Sequence, residues 1–461
     1  MILVSDYKHI FLFPKFYHEV IRKGWFPDII STIMRKKQWF ILLFIPITLL
    51  VLAALYRVPA INDRLAWRVD VWRAKIKYTL NPPEEEFFIP EEGQNPITPT
   101  AAFSPTPTPT TFTATVSGPS ETPLPSPTPT LTATPLPESV NLDGIIHEFQ
   151  KWNNCGPANL SMALSFWGWE GDQRDTAAYL KPNQRDKNVM PYEMVAYVNE
   201  ETELNALWRV GGDLVLIKKF VAAGFPVLVE KGFEGTGFDG WMGHYEVINA
   251  YDNARQRFLA QDSYIMPDLP VPYEQMQTYW QQFNYTYIII YPPEREAEVM
   301  ALLGPQADED YNYQYAADKA SEEIFAFEGR DRAFAWFNRG TNLAYLDDYM
   351  GAADAYDEFF AIYATLDADE VNIPWRITWY QTRPYWAYFY SGRYYDVLSL
   401  TTTTIDTASE PAIEESWYWR ALAKEALGDT NSAIADLQHA VELNENFDIG
   451  WYQLERIRGG G

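Results

Sequence analysis

The chain has 461 residues, one cysteine and a formal net charge of −26, with 47% hydrophobic and 16% aromatic residues. That composition supplies apolar surface for two or three packed domains and excludes wholesale disorder. An acidic body lacks the basic footprint that nucleic-acid binding requires, and a single cysteine excludes an intramolecular disulfide.

The charge is uneven, because residues 1–80 carry 13 Lys/Arg against 5 Asp/Glu. After an N-terminal segment, 1–38, Trp39 to Tyr56 runs for 18 residues without a charge, entered by Arg35-Lys36-Lys37 and left by Arg57. At about 1.5 Å per residue this run approaches the roughly 30 Å hydrocarbon core, so it predicts one transmembrane helix over 39–56. A secretory signal has a shorter apolar run after a shorter basic lead. Basic residues flank both ends almost equally, so charge alone does not orient the span. In the juxtamembrane segment, 57–94, Ile61, Leu65, Val69, Trp72, Ile76 and Leu80 recur at three- and four-residue spacing. That stripe suits either an amphipathic helix on the membrane surface or a helix packed on its own partner.

Residues 95–137 are mostly Pro, Thr, Ser and small residues, with Pro105 to Thr110 in strict alternation. Such a stretch cannot bury a core and favours extended polyproline II, at about 3.1 Å per residue. It reads as a stalk with a reach on the order of 100 Å. Stalks of this composition commonly carry O-linked sugars outside the cell. On that ground the N-terminus is expected in the cytoplasm and everything after residue 57 on the exported side.

Residues 138–295 mix helices and strands. Helices are expected at Asn159–Trp167, Pro191–Asn199 and Leu214–Ala223, and strands at Pro226–Glu230, Tyr245–Tyr251, Arg257–Gln261 and Tyr285–Tyr291. Helices first and closely spaced strands afterwards predict an α+β domain with an antiparallel sheet. Gly232 to Gly243 is glycine-rich and reads as a flexible loop. It lacks the Gly-Lys-Ser/Thr ending of a phosphate cradle.

From 296 to 461 the pattern is helical and repetitive. Trp336…Gly340…Asp347-Asp348-Tyr349…Ala352…Tyr356 forms one unit, Gly392-Arg393-Tyr394 marks a second, and Trp417…Ala421…Gly428-Asp429…Ala433…Ala440 forms a third. Equivalent turns lie 45 and 36 residues apart, so the middle join carries an insertion. This resembles the tetratricopeptide repeat. The resemblance implies an all-α array that stacks unit on unit and offers a protein or peptide partner a concave surface. A helical cap on the preceding domain is the plainer alternative.

The chemistry centres on Cys155, within Phe149-Gln150-Lys151-Trp152-Asn153-Asn154-Cys155-Gly156-Pro157-Ala158. A cysteine at a helix N-terminus has its thiolate stabilised by the helix dipole and by free backbone N–H groups, which is how a nucleophile is made. Gly243-His244-Tyr245 places a histidine at the mouth of a strand, and Asp262 follows across a probable turn at Asp252-Asn253. A hairpin joining the two strands brings Asp262 beside His244 as an orienting carboxylate. Asp262 as a turn residue and His244 as a core histidine are the structural alternatives. Five histidines with no paired cysteines and no His-Glu-x-x-His give no metal site, and no cofactor is expected.

The set Gln150-x4-Cys155-Gly156-x-Ala158, Gly243-His244-Tyr245 and Asp262 resembles the papain-like cysteine peptidases of the bacteriocin-processing, double-glycine type. It is similar to the branch without an ATP-transporter part, over about residues 140–292. The resemblance implies that Cys155 is the nucleophile, His244 the general base and acid, and Asp262 the group orienting His244. It also implies that the Gln150 side chain and the Cys155 N–H form the oxyanion hole. Processors of this type cut after a double glycine on the cytoplasmic side of a transporter. An exported, stalked form departs from that, so the cleavage specificity does not carry over. The expected function is a membrane-anchored cysteine peptidase whose repeats recruit a protein substrate or partner. A non-catalytic exported scaffold and an amidase acting on cell-wall peptides are the alternatives.

Overall fold

The computed structural model describes residues 88–90, 135–234, 240–368, 370–408 and 410–459, together with Thr48. The chain divides into two units, Met1–Val69 and Asp70–Gly461. The expected span at 39–56 and most of the juxtamembrane and Pro/Thr stretches lie outside the described residues. Among the described residues no helix is long and apolar enough to cross a membrane.

The second unit is built on a seven-stranded antiparallel sheet of order β2-β7-β3-β4-β5-β6, with β1 beside β4. The strands are β1 (Ser139–Asn141), β2 (Asn205–Arg209), β3 (Val227–Phe233), β4 (Met242–Asp252), β5 (Arg257–Gln261), β6 (Leu269–Pro272) and β7 (Tyr287–Tyr291). Continuous apolar runs such as Tyr287-Ile-Ile-Ile-Tyr291 belong to strands covered on both faces. Ile288, Ile290, Leu228 and Val247 pack under α1 (Cys155–Ser165) and α3 (Pro191–Glu201). Tyr287, Ile289, Val227 and Val229 pack under α4 (Leu214–Ala222), α5 (Tyr273–Gln281) and α6 (Glu296–Leu303). The α+β domain and antiparallel sheet are as the sequence predicts.

Two local expectations are corrected. The helix after the thiol begins at Cys155 itself, not at Asn159. Gly156 and Pro157 lie in its first turn, where a proline loses no helical hydrogen bond. Gly232 and Gly243 are strand residues facing each other across β3 and β4, while 235–239 fall outside the described residues. A Cβ on Gly243 would lie 2.7 Å from Phe283 Cζ and 2.8 Å from Tyr380 Cδ1. That glycine serves the close approach of a second layer beside His244. Helix α2 (Gln173–Leu180), β2, β6 and α5 had no clear signal, because their apolar residues are few or interrupted.

Beyond α6 the chain is helical: α7 (Glu309–Ala326), α8 (Gly329–Tyr345), α9 (Tyr349–Tyr363), α10 (Ile377–Tyr380), α11 (Arg383–Tyr390), α12 (Tyr394–Thr407), α13 (Glu414–Ala426), α14 (Thr430–Leu443) and α15 (Asp448–Gly459). Asp347, Gly392 and Gly428 each adopt positive φ at the corner of a helical hairpin. Asp348 and Asp429 then cap the following helices at Gly351 N and Ser432 N. Between α9 and α11 the chain forms the one-turn helix α10.

The helical region packs directly on the sheet domain. Asn284 and Asn342 exchange amide hydrogen bonds of 2.7 and 3.1 Å, and Asn312 pairs with both backbone groups of Val210. Trp241, fully buried, stacks on Phe283 at 5.5 Å and abuts Phe334 and Tyr380. Phe88 is also buried in the array, its ring 4.8 Å from Phe360 and 5.9 Å from Tyr388. Pro137 O accepts from Tyr251 OH at 2.9 Å, so residues 88 and 137 are both fixed on one unit. Truncating a buried Trp costs about 3–5 kcal/mol, so Trp241→Ala should lower the urea midpoint of the sheet domain and the array together. An unchanged midpoint would mean that the junction adds nothing to stability.

Candidate active site

The segment leading into α1 is shaped by side-chain amides. Asn153 takes φ +53°, a left-handed conformation that asparagine tolerates. Gln173, from α2, accepts from Lys151 N at 2.8 Å and from Asn154 Nδ2 at 2.9 Å, and donates to Phe149 O at 2.9 Å. The first helical hydrogen bond is Ala158 N to Asn154 O. The N–H groups of Cys155 and Gly156 precede that bond and have no helical acceptor. Cys155, half-buried, thus sits at the positive end of a helix.

His244 and Asp262 come together as the hairpin predicts. His244 is on β4 opposite Lys231, and Asp262 follows the last residue of β5. His244 Nε2 lies 3.0 Å from Asp262 Oδ2, with both side chains buried. Asp262 Oδ1 accepts from Tyr264 N at 2.7 Å and Ile265 N at 2.6 Å. The His244 ring and the Cys155 thiol act on each other electrostatically, His244 lowering the thiol and Cys155 raising the imidazole. With Nε2 held by Asp262, Nδ1 is the ring nitrogen left to the sulfur.

Burial opposes charge at each of the three groups, and their partners overcome it. Burial pushes the Cys155 thiol up, but the hydrogen bond and charge of His244, the Lys181 ammonium and the Tyr245 N–H bring it below its ordinary value. Burial pushes His244 down, but the charge and hydrogen bond of Asp262, and then Cys155, raise it to about 10. Burial pushes Asp262 up, but His244, the Ile265 N–H and Lys231 hold it at about 2. His244 is thus held as an imidazolium, beside a thiol whose ionisation it favours.

Gln150 lies in the same network. Its N–H donates to Ser263 O at 2.8 Å, and Ser263 Oγ donates to Gln150 Oε1 at 2.8 Å. Asn159 Nδ2 donates to Ser263 Oγ at 2.8 Å and to Cys155 O at 2.9 Å. A serine whose oxygen already accepts must spend its proton on Oε1, which leaves the Gln150 Nε2 end as the donor.

Several contributors escaped sequence reasoning. Lys231 and Glu246, both buried, pair at 3.2 Å on the His244 face of the sheet. The pair sets a cation near Asp262 without leaving a bare charge in the core. Charged residues alternating within apolar strands were the available signal. His147 donates from Nε2 to Asp262 O at 2.9 Å and so helps fix that loop. Ser263 and Asn159 gave no signal, since only the fold brings them to Gln150. Among the described residues no group of three or more His, Cys, Asp or Glu could hold a metal ion.

Residues 142–288 match the Peptidase_C39 like family, which supports a papain-like peptidase domain over the sheet and its flanking helices. Two solved structures are similar. One is a protein from Bacillus anthracis described as a C39-like peptidase, 18% identical, with 33% of this chain and 98% of that chain covered and a TM-score of 0.28. The other is a double glycine motif protease from an AMS/PCAT transporter in complex with the leader peptide. It is 16% identical, with 33% and 94% covered and a TM-score of 0.26. No curated protein matches the chain.

The charge arrangement sets a pH dependence. His244 is raised from its ordinary 6.5 to about 10, so its stabilisation is complete below pH 6.5 and fades as pH climbs through 10. Asp262, lowered from 3.8 to about 2, stabilises above 3.8 and fails as pH falls through 2. Iodoacetamide should alkylate Cys155 readily at pH 6, and Asp262→Asn should slow that reaction by about tenfold or more. Superimposable pH–rate profiles would show that the Asp262 charge does not reach the thiol.

Proposed function

We propose that the chain is a cysteine peptidase that cleaves peptide bonds by acyl transfer. The observation that carries this reading is the Cys155–His244–Asp262 relay, with a half-buried thiol brought below its ordinary pKa. Cys155 Sγ attacks the scissile carbonyl carbon, and the tetrahedral oxyanion lies against the Cys155 N–H and Gln150 Nε2. His244 gives its Nδ1 proton to the leaving amine as the C–N bond breaks. Water then attacks the thioester while His244 takes its proton, and the thiolate departs with the carboxylate product released. Asp262 keeps the ring in one orientation and balances its positive charge throughout.

The same proposal places the enzyme on a membrane, with the 39–56 segment as anchor and the catalytic and helical regions on the exported side. The paired helices of 309–459 act as a tetratricopeptide-like array that recruits a protein substrate or partner. Because Phe88 is buried in the array, the Pro/Thr stretch joins two points on one body. Any reach from the bilayer then belongs to residues 57–87.

The test is release of fluorophore from internally quenched peptides by the full chain. Cys155→Ala should abolish turnover. Gln150→Ala should lower kcat by about 10²–10³ with little change in KM, because its hydrogen bond forms with the oxyanion. Ser263→Ala should lower kcat in the same direction by a smaller factor, with the melting temperature retained. Equal turnover by wild type and Cys155→Ala rejects the peptidase reading.

A further inference from the structure

A cavity of about 390 Å³ lies where the sheet domain meets the helical array. Tyr192, Trp208 and Glu230 line it from the sheet side, and Tyr345, Trp386 and Trp419 from the array side. It opens to solvent, since Tyr192 and Ile449 both line it and are each 45% exposed. Its sheet-side wall adjoins the nucleophile. Glu230 faces Tyr245 across β3 and β4, and Cys155 lies near enough for its charge to raise the Glu230 carboxyl.

Glu230 is the unusual group in that wall. Its side chain is 4% exposed, and Oε1 has no hydrogen-bond partner among the described residues. A buried polar atom left without a partner costs roughly 1–3 kcal/mol. Burial pushes the Glu230 carboxyl well above its ordinary range, against the Tyr245 side chain, which favours the ionised form, so an incoming cationic donor is what keeps it ionised. The surroundings define the charge of that donor. Glu415 lines the same cavity, and the buried Asp186 and Glu414 interact with it and with Glu193. Lys181 is the cation set against Asp186 and Glu414. Crowding raises Glu193 to about 8, burial first and Glu414 next. Arg383 also lines the cavity, but its guanidinium is held over Tyr345 at 3.8 Å and Trp386 at 4.1 Å on the array wall. The space therefore combines an acceptor without a donor and an excess of carboxyl groups, which together favour a cation.

Building on the peptidase reading, we propose that this cavity is a specificity subsite that takes a basic side chain of the peptide substrate, with Glu230 accepting from its ammonium or guanidinium group. The array then contributes directly to substrate choice, because Tyr345, Trp386, Trp419 and Glu415 are part of the pocket.

The experiment uses the full chain and quenched peptides in which one Lys, Arg, citrulline or norleucine is walked through an otherwise fixed sequence. At one position, Lys or Arg should raise kcat/KM over norleucine and citrulline by on the order of ten- to a hundredfold, the range of a charge-assisted hydrogen bond. The Lys and Arg arms separate ammonium from guanidinium recognition. Glu230→Gln should collapse that ratio, and Glu415→Gln, on the array side, should reduce it. A ratio near one in the wild type, or one that survives Glu230→Gln, overturns the proposal. Calorimetric binding of the same peptides to Cys155→Ala keeps the two readings apart. Cation-selective binding lost in Cys155→Ala/Glu230→Gln supports the subsite even without turnover, and binding indifferent to charge rejects it even with turnover.

Discussion

A carboxylate with no exposed surface stays ionised only where its oxygens are answered by donors and its charge by a cation. Asp262 meets both conditions. One oxygen takes two backbone N–H groups of the turn that follows it, and the other faces His244. The carboxylate in turn favours an imidazolium in a buried place, and the imidazolium lowers the thiol beside it. Each charge in the series is tolerable only because of the next. Lys231 and Glu246 extend the alternation along the same face of the sheet, so the charges enter the interior as opposed pairs.

The backbone must hold these groups in register for such pairing to succeed. Strand β4 is the longest strand and pairs with β3, β5 and β1. Its alternation sends His244 and Glu246 to one face while Tyr245 and Val247 pack under α1 on the other. Cys155 and His244 thus arrive from two elements whose relative position is set by an apolar core, with Tyr245 OH tied to Val189 O at 2.9 Å. Gln173 performs the equivalent task for the segment carrying Gln150, joining three backbone or amide groups of residues 149–154 from a separate helix.

The helical region contributes more than a distal surface. Gly243, next to His244, has its Cβ space occupied by Phe283 and Tyr380, so the array closes against the strand that carries the base. The same junction collects buried carboxylates and aromatic rings in one place. Burial raises the cost of each carboxylate charge, and such a cluster is stable chiefly where protons or cations relieve it. An acidic, aromatic cleft next to a nucleophile is a consequence of docking the two regions.

The sequence alone determined what depends on local order. A cysteine before a Gly-Pro pair and an apolar helical run, a histidine opening a strand, and an aspartate one hairpin later were enough to single out Cys155, His244 and Asp262 as candidates, and the last two do meet. The spacing of aromatic, alanine and turn residues fixed helical hairpins, with Asp347, Gly392 and Gly428 at their corners. What had no local signature was decided by tertiary structure. Ser263 and Asn159 aim the Gln150 amide from more than a hundred residues away and from the neighbouring helix. Glu230 meets the array only across the docked interface. Strand alternation and helix periodicity are properties of neighbouring residues, which a sequence displays directly. The partner of a buried polar atom is chosen by packing between distant segments, and that choice exists only once the chain has closed on itself.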